Sequence, residues 1–238
     1  METSDRFLYA ADTFRPKYKQ SVDGLRRGNR AMLESWVEIL AGMALGAVMA
    51  VPARLVCAVL LKKRGLCLRM ERKRTLLLAA GMALAGGIIG WRAGISLRAA
   101  YLFLLLLAAG CVFCIDAMHR IIPNELVLAV PVLTALFGFT GYIPFSIVSS
   151  LTGLAACFVI FFIPGALGRN IGAGDVKFAA AMGFALGFAG SLYAVAGMGV
   201  FVLIYLLLGR GMPIAEKLKQ AIPMGPFLSL ALMAVAVL

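Results

Sequence analysis

Apolar residues along this chain come in long blocks divided by short polar or basic stretches, the pattern of several helices that cross a bilayer. A spanning helix needs about 20 mostly apolar residues, fewer where neighbours or local thinning help. Candidate spans cover 36–61, 75–91, 98–118, 122–141, 144–168, 176–190, 192–208 and 222–238. The first is flawed by Glu38, Pro52 and Arg54. It reads as one tilted span whose Arg54 snorkels, or as a span followed by an interfacial piece. The sixth and seventh are divided only by Gly187, Gly190 and Ser191. The expected fold is all-α and polytopic, with six to eight transmembrane helices and eight as the count.

Residues 1–35 are polar and of mixed charge, with no apolar core of the signal-peptide kind. They are expected to be a flexible tail or an amphipathic segment on the membrane. The chain thus divides into a polar tail (1–35), a first membrane segment with a basic loop (36–74) and a main membrane domain (75–238). Glycines such as Gly81, Gly86, Gly87 and Gly90 recur inside the spans, where they let helix backbones approach.

Composition strengthens the membrane reading. Of 238 residues, 62% are hydrophobic and 14% charged, against about 45–50% and about 25% in soluble domains. A core of this size cannot hide that excess, so the surplus faces lipid. The net charge of +12 raises nucleic acid as a partner. Yet the basic residues sit between apolar runs, where they set orientation and attract anionic lipid headgroups, and no separate basic surface is visible.

Residues 62–74 hold seven Lys or Arg. If that side is cytoplasmic, the inside loops gain Arg120, Arg169, Lys177, Arg210, Lys217 and Lys219, while the outside keeps Arg92 and Arg98. Thirteen basic residues against two is a strong positive-inside bias. The basic N-terminal tail is the discord, falling outside in the eight-span count.

The five cysteines, Cys57, Cys67, Cys111, Cys114 and Cys157, lie mostly inside apolar runs and read as small buried hydrophobes, with no disulfide framework implied.

Four acidic residues lie at or inside the spans beyond the first: Asp116, Glu125, Asp175 and Glu216. Asp116 ends an apolar helix and Asp175 opens another after a glycine-rich turn. Two crossings separate them, which puts both at the same face. An ionisable group near hydrocarbon is costly and is a functional candidate by default. Two carboxylates a few ångströms apart cannot both ionise easily and share a proton. One can then draw a proton from water while the other donates to a peptide carbonyl, which is amide hydrolysis without metal or serine. The plain structural alternative pairs Asp116 with Arg120, and has Asp175 cap its helix or pair with Lys177.

Three segments carry a resemblance. DAMHRIIPN runs from Asp116 to Asn124, GAGDVK from Gly172 to Lys177, and IPMGPFL from Ile222 to Leu228. Together they resemble the motifs of the type IV prepilin peptidases, polytopic aspartyl proteases that include the archaeal preflagellin peptidases. These motifs are an aspartate followed seven residues later by Pro-Asn, a glycine-any-glycine-aspartate with a nearby lysine, and a C-terminal proline-glycine-proline segment. The third departs from the pattern in having Met224 where phenylalanine is common.

The resemblance covers roughly residues 75–238. It implies that Asp116 and Asp175 are catalytic. It also implies that the enzyme cleaves basic leader peptides from type IV pilin-like precursors at the cytoplasmic face of the inner (plasma) membrane. Arg120, His119 and Lys177 would tune the pair or meet substrate, and Pro123 with Asn124 would set the start of the next helix. Gly172 and Gly174 would admit a neighbouring backbone. Pro223, Gly225 and Pro226 would shape the site or start a helix.

Many bacterial members carry two Cys-x-x-Cys pairs in a cytoplasmic loop and also methylate the new N-terminus. Here loop 62–74 holds only Cys67, and Cys111 with Cys114 lies in an apolar helix without a second pair. Zinc wants four ligands, so that pair reads as packing and methyltransferase activity is not expected. No metal or organic cofactor is implied.

Rival readings are a proton- or cation-coupled transporter, a non-catalytic assembly factor, and a relative of the presenilin-like proteases. Both acids at one face, and no inverted repeat, speak against transport. Ile115, where the presenilin-like enzymes carry tyrosine, speaks against the last.

Overall fold

The computed structural model describes residues 3–67, 70–167, 171–208 and 223–238, with side chains of the first helix from residue 32 onward. Among these residues there are seven helices and no strand: α1 (Thr3–Lys62), α2 (Arg72–Ala93), α3 (Leu97–His119), α4 (Asn124–Gly138), α5 (Ile147–Ala166), α6 (Ala173–Leu208) and α7 (Gly225–Val237). Five are long and apolar enough to cross a membrane, and α4 and α7 are shorter apolar helices.

Two features refine the expectations. The polar stretch read as a tail is helical from Thr3 and runs without interruption into the first span. The boundary between the sixth and seventh candidate spans is a break inside α6 at Gly187, with φ 69° and ψ −177°. That conformation is essentially glycine's alone. At 36 residues, α6 would be about 54 Å long if straight, well beyond the hydrocarbon core. The break divides it into a shorter arm that carries Asp175 and a longer arm, 188–208, of span length. The expected basic residues Arg169, Arg210, Lys217 and Lys219, together with Glu216 and Ile222, lie outside the described residues.

Helix α3 is the axis of the bundle and packs against α1, α2, α4 and α7. In its most apolar window 72% of residues are inside the protein, against 17–33% for the other four long helices. The outer helices turn large apolar side chains outward, as with Leu55, Leu77, Leu128, Val132 and Val148. In water such a surface would drive aggregation, and against lipid it is the proper solvent contact.

Contacts between helices run through glycine. A Cβ at Gly42 would strike the Gly86 carbonyl, and one at Gly90 would strike that of Glu38, so α1 and α2 touch backbone to backbone. Gly153 of α5 and Gly183 of α6 meet in the same reciprocal way. Close approach of this kind replaces the hydrophobic drive that is missing between helices in lipid. Gly183→Leu is therefore expected to cost about 3 kcal/mol by overpacking, read as a fall in the thermal midpoint of the detergent-solubilised protein.

Candidate active site

Asp116 lies in the last turn of α3, and the chain turns sharply after it. Arg120 closes the helix in the left-handed conformation (φ 55°), donating its N–H to the Asp116 carbonyl at 2.9 Å. Arg120 is the single non-glycine residue with positive φ among those described. Such a cap usually falls to glycine, so the tight turn is held by its surroundings. Three residues on, Pro123 caps α4, its fixed φ already suited to a helix start.

Asp175 is the third residue of α6. Its side chain folds back over the turn that precedes it, so that a Cβ at Gly172 would stand 3.0 Å from Oδ2. Gly174 faces the other way, and a Cβ there would meet Ile122 Cβ at 3.2 Å. The two glycines thus serve two contacts. One makes room for the aspartate's own carboxyl, and the other lets α6 press on the turn between α3 and α4. Lys177 adds a long hydrogen bond from Nζ to Asn124 Oδ1, 3.5 Å.

The third part of the site arrives from far along the chain. The backbone N–H of Gly225, the first residue of α7, donates to Asp116 Oδ2 at 2.9 Å. A Cβ on Gly225 would lie 2.7 Å from both Cβ and Oδ2 of Asp116. Pro226 follows in the first turn of α7, buried. Pro223, half-buried, precedes it.

Asp116 is only 4% exposed, whereas Asp175 is half-buried, and the charge of Asp116 is felt at Asp175. The plain alternative for each acid is not realised as an ion pair. Among the described residues the one salt bridge joins Arg64 to Glu125 at 2.9 Å. Lys177 turns to Asn124 rather than Asp175. Arg120 forms no salt bridge with Asp116, its backbone N–H going to the Asp116 carbonyl instead. Helix capping by Asp175 remains compatible with its folded-back side chain. His119 Nε2 is buried and has no hydrogen-bond partner among the described residues.

The structure thus brings together Asp116, Asp175, Gly172, Gly174, Gly225, Pro123, Asn124 and Lys177, with Arg120 on the turn. Sequence reasoning missed Ile122 as the seat of Gly174. Its position just before the Pro-Asn pair was the available signal. It also missed the tie between the basic loop and the start of α4, Arg64 to Glu125. That pair is solvent-exposed, so Glu125→Gln should change stability by no more than about 1 kcal/mol, as measured by thermal melting.

Cys111 and Cys114 are buried within α3, and Cys111 Sγ points at the Ala53 carbonyl of α1 (3.5 Å). This is the packing role expected of them. No three His, Cys, Asp or Glu side chains converge among the described residues to form a metal-binding group.

A family model described as the type IV leader peptidase family matches residues 100–207, a stretch that contains both Asp116 and Asp175. No curated protein and no solved structure matches the chain.

Proposed function

We propose that the chain, which matches the type IV leader peptidase family model over residues 100–207, is a membrane aspartyl endopeptidase. In this reading it removes the basic leader of pilin-like precursors at the cytoplasmic face of the plasma membrane. The observation that carries the proposal is the Gly225 N–H on Asp116 Oδ2, with Asp175 on the helix whose Gly174 presses on Ile122 in the turn that follows Asp116.

The two acids work as a pair. A backbone N–H at 2.9 Å from Oδ2 favours negative charge on Asp116. The two acids share one proton, and this reading takes Asp116 as the base with Asp175 protonated. Water gives a proton to Asp116 as its oxygen bonds to the scissile carbonyl carbon, while Asp175 protonates the carbonyl oxygen. In the second step the tetrahedral diol collapses. The C–N bond breaks, Asp116 returns its proton to the leaving nitrogen, and a diol hydroxyl returns a proton to Asp175. Each carboxyl ends as it began, with no metal or external reagent in the balance.

The bias of basic residues supports the assignment of the site to the cytoplasmic side, since Arg64 and Lys177 are at the same end of the bundle as Asp116. The test is co-expression with a pilin-like precursor from the same genome, followed by mass measurement of the precursor. A mass lowered by the leader alone is expected. An intact precursor beside a folded, membrane-inserted chain would overturn the reading.

A further inference from the structure

Beside the aspartates, a cavity of about 500 Å³ opens between α2, α3 and α7. We propose that it is the seat of the precursor's apolar helix, which it holds while the adjoining peptide enters the aspartate pair; this rests on the peptidase reading above. Its position is the first argument. Ala117 and Met118, the two residues after Asp116, line one end together with Arg74. The cavity then follows α2 as far as Ala85. At 1.5 Å per residue that is about 17 Å, roughly half the hydrocarbon core.

Two features of the wall select a helix over a lipid acyl chain. The first is Gly81. Other glycines of α2 are spent on α1, as Gly86 and Gly90 are, but a Cβ at Gly81 would have nothing within 4 Å. A glycine facing open space on an apolar helix lets another backbone come close, whereas a fluid chain gains nothing from it. The second is Ser229, one turn along α7 from Gly225. It lines the cavity, is 3% exposed, and its Oγ has no hydrogen-bond partner among the described residues. A buried hydroxyl without a partner is costly. A helix carbonyl or small polar side chain can satisfy it, and an acyl chain cannot. The occupant is thus a single apolar helix with a small residue opposite Gly81.

The test places a benzophenone amino acid at Leu77, which lines the cavity and is 72% exposed, and, as control, at Leu128, 64% exposed on α4. The full-length protein is irradiated in membranes that contain the precursor, and leader removal is scored in the same samples. Crosslinks from Leu77 to the apolar segment of the precursor or its trimmed product, with none from Leu128, are expected. Leader removal with only lipid adducts at Leu77 would overturn the groove and leave the peptidase standing. A Leu77 crosslink without leader removal would do the reverse. In addition, Gly81→Leu fills the floor and should raise KM for the precursor about tenfold at unchanged kcat. An unchanged KM would count against the groove.

Discussion

Asp116→Asn and Asp175→Asn each lower leader removal by about 10³-fold, within the range that general acid–base groups supply. The amide is nearly isosteric with the carboxyl, and in Asp116→Asn its oxygen can still accept from the Gly225 N–H, which meets the native carboxylate at 2.9 Å. Folding should therefore survive. The double variant should be no slower than either single one, because residues that act as a unit are not additive. The measurement is precursor mass against time, alongside thermal melting of each variant. Activity that persists in either single variant would remove the aspartates from the chemistry, and ion flux that depends on them would favour the transporter reading. Processing by wild type and both variants alike would instead fit an assembly factor beside another peptidase.

Gly225→Ala is the second large effect, expected at about 10²-fold in kcat/KM, the size that follows a misplacement of about 1 Å at a catalytic group. The new methyl would stand 2.7 Å from Asp116 Cβ, which is fixed to the α3 backbone and cannot swing away. Either α7 retreats and the hydrogen bond is lost, or Asp116 is turned. The other site glycines should rank below it. Gly174→Ala meets Ile122 Cβ at 3.2 Å, and Gly172→Ala meets only the mobile end of Asp175 at 3.0 Å. Gly197→Ala is the internal control, since nothing lies within 4 Å of its Cβ position. That change should leave kcat/KM alone and raise stability by up to about 1 kcal/mol. If Gly225→Ala were as active as Gly197→Ala, the grip of α7 on Asp116 would have no part in catalysis.

Much of this was legible in the sequence because hydrocarbon imposes strong rules. The apolar blocks marked the spans, and an acid at a span end stood out as Asp116 and Asp175 both did. The glycines around Asp175 marked a close approach without naming the partner. That Gly174 faces Ile122 while Gly172 faces Asp175 depends on helix rotation, which spacing alone does not fix. The contact from Gly225 to Asp116 crosses 109 residues, a distance over which no local pattern carries information. The state of the N-terminal stretch was left open between a flexible tail and an amphipathic segment for a related reason. Polar composition at 1–35 argues against a membrane span but not against a helix, and α1 is helical through that region.

The break at Gly187 has a mechanical meaning. The Phe188 N–H, which a continuous helix would tie to the preceding turn, is instead held by Ser149 Oγ of α5 at 3.2 Å. The arm that carries Asp175 is clamped to α5 through Gly153 and Gly183, while the arm beyond the joint packs on α7, with Tyr205 against Phe227 at 5.5 Å between ring centroids. The joint thus lets one chain segment serve two partners, α5 below the break and, above it, the α7 whose first residue holds Asp116.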